Sequence, residues 1–130
     1  MRFMIIVKSS SGPCEEVRSE MVAYNEELAK AGVLVALRRL EPDSKGARIR
    51  FSGGKHSIVD GPFTESKEVI GGYWLWNVKS KDEAIEWVKR CPMPSSDAEF
   101  EFEVRQVLED DPLVASIVSC LKQEEPLVQR

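Results

Sequence analysis

The stretch GGYWLWNVKSKDEAIEWVKRCP, residues 71–92, predicts a strand followed directly by a helix. Tyr73–Val78 is aromatic and apolar, which is typical of a strand, and we expect Gly71-Gly72 to end the element before it. Ser80 opens a Ser-Lys-Asp-Glu capping box, which begins a helix. Pro92 ends that helix, so this segment is one strand–helix unit.

The same order occurs at the amino terminus. Arg2–Lys8 is a short run rich in Ile, Val and Phe, which indicates a strand. Pro13 suits the first position of a helix, and Gly32 suits its end. Val33–Leu40 is predicted as the next strand. The helix between Pro13 and Gly32 carries apolar residues at helical spacing: Val17, Met21, Tyr24, Leu28 and Ala31.

A hairpin is predicted between the two strand–helix units. Ala47–Ser52 and Lys55–Val59 flank Gly53-Gly54, which is the signal of a two-residue turn. Asp60-Gly61-Pro62-Phe63 has the composition of a tight turn. Thr64–Ile70 is predicted to form a short helical turn.

The carboxyl-terminal part predicts one more strand and one more helix. Phe100, Phe102 and Val104 alternate with charged residues, which indicates a half-buried strand. Asp110 or Asp111 can cap a last helix that has proline at its first position. Its apolar face comprises Leu113, Val114, Ile117, Val118 and Leu121.

This order predicts an α+β, ferredoxin-like βαββαβ unit with an inserted β-hairpin and an extra C-terminal helix. The first and third framework strands are apolar on both faces, so we expect them at the centre of the sheet. Two helices cover one sheet face, and we expect Trp74 and Trp76 to mark the open one. Such a patch indicates an interface or a ligand cavity. We therefore predict a homodimer, sheet against sheet, with a pocket between sheet and partner; alternatively, the C-terminal helix covers that face.

Composition bounds the class of protein. The chain has 130 residues, of which 42% are apolar and 31% charged, as expected for one globular domain. The net charge of −4 argues against a nucleic-acid partner. The apolar run at 3–7 is too short for a signal peptide or a membrane span, so we predict a cytoplasmic protein without membrane contact. Three scattered cysteines and one histidine predict neither a disulfide framework nor a metal site, and no cofactor motif is present.

The segment DGPFTESKEVIGGYWLWNVKSKDEAIEWVKRCP, residues 60–92, resembles the YCII-related family, in particular its DGPF-domain branch. The features are the Asp-Gly-Pro-Phe turn, the Glu-x-Lys-Glu after it, the Gly-Gly before an aromatic strand and the helix ending in Cys-Pro. The resemblance covers residues 1–107, the expected domain. Residues 108–130 are then a C-terminal helical extension.

The resemblance implies a dimeric ferredoxin-like α+β barrel. Most family members have no established activity, whereas relatives in the wider superfamily include small-ring lyases and isomerases that use a His–Asp pair. Those enzymes carry the histidine on the first helix, and EEVRSEMVAYNEELAKAG, residues 15–32, has none. Many DGPF proteins are encoded beside extracytoplasmic-function sigma factors, which implies a regulatory link by family association only.

Asp60 is the candidate catalytic residue, because a carboxylate in a Gly-Pro turn can be held at a pocket mouth as a base. Alternatively, it accepts hydrogen bonds from the backbone of its own turn. Glu65 and Lys67 follow it; Lys67 could bind an anion or lower the pKa of a carboxylate, or both could belong to a solvated charge cluster. His56 lies four residues before Asp60, about 13 Å along a strand, so we expect a surface histidine.

Three aromatic residues complete the candidate binding set of Tyr24, His56, Glu65, Lys67, Trp74 and Trp76. Tyr24 lies on the buried stripe of the first helix, where it packs in the core or offers its hydroxyl to a pocket. Trp74 and Trp76 are two residues apart and share one sheet face. They are core or interface residues first, and stacking walls for a flat ligand second.

Three functions are compatible with these features. The first is a small-molecule-binding dimer, linked to stress response or sigma-factor regulation. The second is a lyase or isomerase acting on a small ring or oxo-acid, with Asp60 as acid or base. The third is a protein-interaction module that uses the C-terminal tail.

Overall fold

The computed structural model describes residues 1–9, 17–62, 69–93 and 100–121. A four-stranded antiparallel sheet forms the body, with the strand order β2-β5-β1-β6. Two helices pack on one face of it, and a separate two-stranded hairpin pairs β3 with β4. The strands are β1 Arg2–Lys8, β2 Leu34–Arg39, β3 Ala47–Ser52, β4 Lys55–Asp60, β5 Ile70–Asn77 and β6 Glu101–Gln106; the helices are α1 Arg18–Lys30, α2 Lys81–Lys89 and α3 Pro112–Leu121.

The predicted α+β, ferredoxin-like architecture is confirmed. The framework runs β1-α1-β2, then β5-α2-β6, with the hairpin inserted between the halves and α3 after them. The central strands are β1 and β5 and the edges are β2 and β6, as the apolar patterns predicted. Both central strands form antiparallel pairs with two neighbours: β1 pairs with β5 and β6, and β5 pairs with β1 and β2.

Local signals end the helices and turn the hairpin as expected. Gly32, with φ 74°, follows α1, in the conformation that glycine adopts at lowest cost. The Ser80 hydroxyl accepts the Glu83 N–H at 3.1 Å and caps α2. Gly53 and Gly54 both have positive φ, as a two-residue hairpin turn requires. At α3, the Asp111 carboxylate accepts the Leu113 N–H at 3.0 Å.

The expectation that Gly71-Gly72 ends an element is wrong, because both glycines lie inside β5. A Cβ at Gly72 would come 2.6 Å from the Arg38 carbonyl oxygen of β2, so the glycine permits close pairing of the two strands. Ile70, predicted as the end of a helical turn, is the first residue of β5. The rest of that turn, 63–68, lies outside the described residues, as does the expected helix start at Pro13.

The core lies between the sheet and the helices α1 and α2. Its buried residues include Phe3, Ile5, Leu28, Trp74 and Trp76. Trp74 of β5 lies across from Ile5 of β1, and Trp76 lies across from Phe3. All four side chains therefore share the helix-covered face. The expectation that the tryptophans mark the open face is therefore wrong. A two-residue period shows that two side chains share a face but does not say which face the helices cover.

The open face of the sheet carries smaller apolar residues. Met4 and Ile6 of β1 lie across from Leu75 and Tyr73 of β5, and Ala36 of β2 lies across from Leu75. These residues are half-buried and are not among those packed against the core. In α3, the apolar side chains of Leu113, Val114, Ile117 and Val118 are exposed. Within the described chain, α3 therefore does not bury its apolar face on the sheet.

Candidate functional site

An open cleft of about 310 Å³ lies between the β2–β3 connection, the base of the hairpin and the start of β5. Its apolar walls come from Leu40, Pro42, Ala47, Val69 and Ile70. Ionisable side chains of both signs line it as well: Glu41, Asp43, Lys45 and Arg48. A small molecule with an apolar body and a charged group suits such a lining.

One wall of the cleft is held by backbone hydrogen bonds between two turns. The Lys45 N–H donates to the Pro42 carbonyl, and the Gly46 N–H donates to the Asp43 carbonyl, each at 2.9 Å. The Gly46 carbonyl in turn accepts the Gly61 N–H at 2.9 Å. The Asp-Gly-Pro turn is therefore joined to the β2–β3 connection that lines the cleft.

Asp60 is the last residue of β4 rather than part of the turn itself. It is exposed, and it lies across from Ala47, which lines the cleft. The Gly61 N–H, which could have bonded to the Asp60 carboxylate, donates to Gly46 instead. In the described part of the chain, no group forms a hydrogen bond or ion pair with that carboxylate. The carboxylate is thus exposed next to Ala47, although Asp60 is not itself one of the residues that line the cleft.

His56 lies on the same strand and the same face as Asp60, towards the tip of the hairpin. Four strand residues separate the two side chains by about 13 Å. The imidazole instead contacts the Phe51 ring, with centroids 5.9 Å apart. The structure therefore does not bring His56 and Asp60 together. Glu65 and Lys67, the other polar candidates, lie outside the described residues.

Tyr24, Trp74 and Trp76 come together in the core rather than at the cleft. The ring centroids of Tyr24 and Trp74 are 6.0 Å apart, and those of Trp74 and Trp76 are 5.5 Å apart. All three side chains are buried. Trp87 of α2 extends the group, with its ring centroid 6.5 Å from that of Tyr24.

The polar atoms of this aromatic cluster are mostly satisfied inside the protein. The Tyr24 hydroxyl donates to the Trp87 carbonyl at 2.5 Å, which ties α1 to α2. Burial raises the pKa of this hydroxyl above its usual range, so it stays a neutral donor. The Trp74 indole N–H donates to the Asn25 side-chain oxygen at 2.8 Å. Trp76 Nε1 is buried and has no partner among the described residues.

A charged group borders the open sheet face along β6. Lys8 Nζ donates to Glu103 at 2.8 Å and lies 3.7 Å from Glu101. Arg105 donates to the second oxygen of Glu103 at 3.0 Å. The Lys8 hydrogen bond lowers the pKa of Glu103, and the same bond raises the pKa of Lys8. Glu103 therefore stays ionised between two cations at the sheet edge.

No three His, Cys, Asp or Glu side chains among the described residues come close enough to hold a metal ion. None of the helices described is both long and apolar enough to cross a membrane.

Neither the cleft nor one contact in the core can be recognised in the sequence pattern. The β2–β3 connection that lines the cleft contains Pro42, Asp43 and Gly46, a composition that indicates a turn but not a cleft. Asn25 also went unnoticed, because a polar residue beside the helix stripe gives no sign of a buried indole partner. Only the folded chain brings these residues to their contacts.

Two comparisons relate this chain to known proteins. A family model described as the YCII-related domain matches residues 1–109. An uncharacterized protein of Rhizobium meliloti (strain 1021), R00369, is 35% identical over 75 residues, which cover 58% of this chain. The match spans 60% of the length of that relative. Since the family model extends from β1 through β6, the chain belongs to the YCII-related domain family.

Proposed function

We propose that this protein is a homodimer that binds a small molecule in the cleft beside the Asp-Gly-Pro turn. The cleft carries the proposal, because it combines apolar walls with charged side chains of both signs in about 310 Å³. That volume is at the lower end of the range for ligand pockets. The ligand class that fits is a small organic molecule with an apolar body and a carboxylate or amine.

The charges at the cleft favour recognition of one polar end of such a ligand. Lys45 lies 3.4 Å from Glu41, and both side chains are largely exposed. An exposed pair of this kind contributes under about 1 kcal/mol, so a ligand can replace it at little cost. A ligand carboxylate would then pair with Lys45, while its apolar body lies against Leu40, Pro42 and Ile70.

Filling the cleft tests this proposal. Ala47→Phe places a ring among the lining residues, whereas Ser52→Phe, at the far end of the same strand, leaves the cleft open. A panel of small aromatic and aliphatic carboxylates and amines is screened by thermal shift. Binding raises the melting temperature by mass action. We expect compounds that stabilise the wild type and Ser52→Phe but not Ala47→Phe; compounds that stabilise all three proteins equally would overturn the site.

The proposed homodimer rests on the open face of the sheet. Met4, Ile6, Tyr73 and Leu75 form its apolar centre, and the charged group of Lys8, Glu103 and Arg105 lies along one side. An apolar patch with a polar rim is typical of a protein interface. A second copy brings an apolar face of the same kind, so a two-fold contact would be self-complementary.

Light scattering tests the homodimer. The wild type is expected at the mass of two chains, and Ile6→Asp, which puts a carboxylate in the centre of the open face, at the mass of one. Val22→Asp is the matched control, because Val22 is an exposed apolar residue of α1. A wild type at the mass of one chain would refute the dimer, and so would an Ile6→Asp variant that remains folded and dimeric.

An enzymatic reading of the same site has one specific observation in its favour. The Asp60 carboxylate is exposed beside the cleft and unpaired within the described chain, so it could act as acid or base on a bound small ring or oxo-acid. Asp60→Asn removes the titrating group and keeps the shape. If the wild type converts any compound of the panel into a product, Asp60→Asn should abolish that conversion without weakening binding of the compound. An unchanged rate of conversion would show that Asp60 is not the acid or base.

A further inference from the structure

One side of the β3–β4 hairpin is basic. Directly opposite residues of the two strands point to the same side, and successive residues of a strand point to opposite sides. The register therefore places six side chains on this basic side: Arg48, Arg50, Ser52, Lys55, Ser57 and Val59. Three of the six are cationic and none is acidic. The other side of the hairpin carries Asp60 and no lysine or arginine.

The basic side differs in charge from the chain as a whole. The chain has 22 acidic and 18 basic residues, whereas the basic side has cations without a carboxylate. Every residue of β3 and β4 is exposed. Within the described part of the chain, neither Arg50 nor Lys55 forms a hydrogen bond or an ion pair. Both cations are therefore available to an anion from solution.

The spacing of the cations suits an anion with several linked charges. Neighbouring rows on one side of a strand pair are about 7 Å apart, so the three cations from Arg48 to Lys55 span about 14 Å. Arginine can bind a phosphate group with two parallel hydrogen bonds, and the hydroxyls of Ser52 and Ser57 on the same side are further donors. Because like charges on one side of a ribbon repel one another, a bound polyanion would also stabilise the hairpin.

The basic side begins at the cleft. Arg48, its first cation, is one of the residues that line the cleft. The carboxylates among the lining residues, Glu41 and Asp43, belong to the β2–β3 connection and not to the hairpin. A ligand in the cleft can therefore extend an anionic part along the hairpin towards its Gly53-Gly54 turn, where the basic side adds no further carboxylate.

We propose that the cleft takes a small molecule whose aromatic or aliphatic body carries two or more phosphate groups, and that these phosphates lie along the basic side of the hairpin. The inference rests on the cleft ligand proposed above and narrows its polar end to a polyphosphate. A small molecule fits better than a long polyanion, because the basic side is only about 14 Å long and the chain as a whole is acidic.

Inorganic triphosphate tests the basic side by itself. Isothermal titration calorimetry at low salt, without divalent cations, compares the wild type with Arg50→Gln/Lys55→Gln. An exposed charge pair contributes up to about fivefold in affinity, so the loss of two should weaken triphosphate binding about tenfold or more. The matched control is Lys30→Gln/Lys89→Gln, which removes the same charge from exposed positions on α1 and α2. If the first double variant does not fold, its two single variants replace it.

Two results would overturn the basic side as a binding site. The first is a wild type that does not bind triphosphate. The second is equal weakening by both double variants, because the net charge of the protein would then explain the binding. In either case, compounds of the panel that bind the wild type and not Ala47→Phe would leave the cleft ligand standing.

Adenosine triphosphate tests whether one ligand occupies the cleft and the basic side together. We expect Ala47→Phe, which fills the cleft, to weaken binding of adenosine triphosphate and to leave binding of inorganic triphosphate unchanged. An Ala47→Phe variant that binds both as tightly as the wild type would overturn the link between the two. A hexaglutamate peptide that binds the wild type more tightly than adenosine triphosphate would overturn the assignment to a small molecule.

Discussion

Gly61 lies against the backbone of Asp43, so close that a Cβ at position 61 would come 1.7 Å from the Asp43 carbonyl oxygen. Real atoms never approach so closely, so any side chain here forces the two turns apart. The Gly61 N–H also donates to the Gly46 carbonyl at 2.9 Å. The Asp-Gly-Pro turn thus needs glycine because another backbone segment, which lines the cleft, occupies the space.

Gly61→Ala should therefore destabilise the protein. Overpacking of this kind costs about 1–3 kcal/mol, and the cleft wall at Asp43 has to move. Urea unfolding followed by tryptophan fluorescence measures the free energy. Gly46→Ala is the matched control, because its Cβ would lie 3.4 Å from the same Asp43 oxygen. Equal free energies of unfolding for the two variants would contradict the contact.

Tyr24→Phe should lower the free energy of unfolding by about 1 kcal/mol, the usual value of a hydrogen bond. The substitution removes the bond from the Tyr24 hydroxyl to the Trp87 carbonyl that joins α1 to α2. Urea unfolding at neutral pH checks it. Tyr73→Phe on the open face serves as control, and we expect it to change the free energy of unfolding less. A larger loss of free energy of unfolding for Tyr73→Phe than for Tyr24→Phe would show that the hydrogen bond between α1 and α2 does not stabilise the fold.

The Tyr24 hydroxyl should also ionise late in an alkaline titration. Burial raises its pKa in the folded protein above the ordinary value of 10.0. A raised folded pKa gives stability that is complete below the unfolded pKa and is lost as the pH rises towards the folded one. Absorbance of the phenolate should thus show one tyrosine resisting ionisation until the protein unfolds. This late ionisation should be absent from the titration of Tyr24→Phe. An unchanged absorbance curve for that variant would show that Tyr24 is not the late-ionising residue.

Glu103→Gln should lower the melting temperature at neutral pH and leave it unchanged in acid. The Lys8 hydrogen bond holds the pKa of Glu103 below its ordinary value of 4.5. The stability from a lowered pKa is present above the unfolded value and disappears as the pH falls through the folded one. Thermal melts at about pH 7 and about pH 3 test this. The control is Glu86→Gln, which removes the carboxylate of an exposed ion pair with Lys89 on α2. A lower melting temperature of Glu103→Gln at acid pH as well would contradict a stabilising role of the ionised carboxylate.

The cysteines Cys91 and Cys120 should differ sharply in reactivity. Cys91 is buried and Cys120 exposed, and burial raises the pKa of the Cys91 thiol to about 11. Because the thiolate is the reactive form, iodoacetamide at about pH 8 should modify Cys120 and leave Cys91 intact. Peptide mass spectrometry reads both sites, and denaturant should make them equal. Rapid labelling of Cys91 in the folded protein would contradict its burial.

Much of the fold could be predicted from short-range patterns. The Ser80 capping box, the Gly53-Gly54 turn and the apolar β1 each act over a few residues, where local sterics and hydrogen bonds decide the conformation. The positions of β1 and β5 at the centre of the sheet also followed, because both strands are apolar on both faces.

The candidate site could be predicted only in part. The turn sequence made Asp60 a candidate, and the structure shows it exposed across from Ala47, one of the residues that line the cleft; its role stays a prediction. The cleft itself depends on Asp43 meeting Gly61, which are far apart in sequence. No periodicity or motif reports such a contact, because it arises when the hairpin folds back on the β2–β3 connection.

The sequence by itself determined the order of the framework strands and helices and the family to which the chain belongs. Tertiary structure alone decided that Trp74 and Trp76 face the helices while Met4 and Ile6 lie on the open face. The physical reason is that alternation along a strand shows which side chains share a sheet face, but not which of the two faces the helices cover. The helices α1 and α2 cover the face on which Phe3, Ile5 and the two tryptophans can all be buried together.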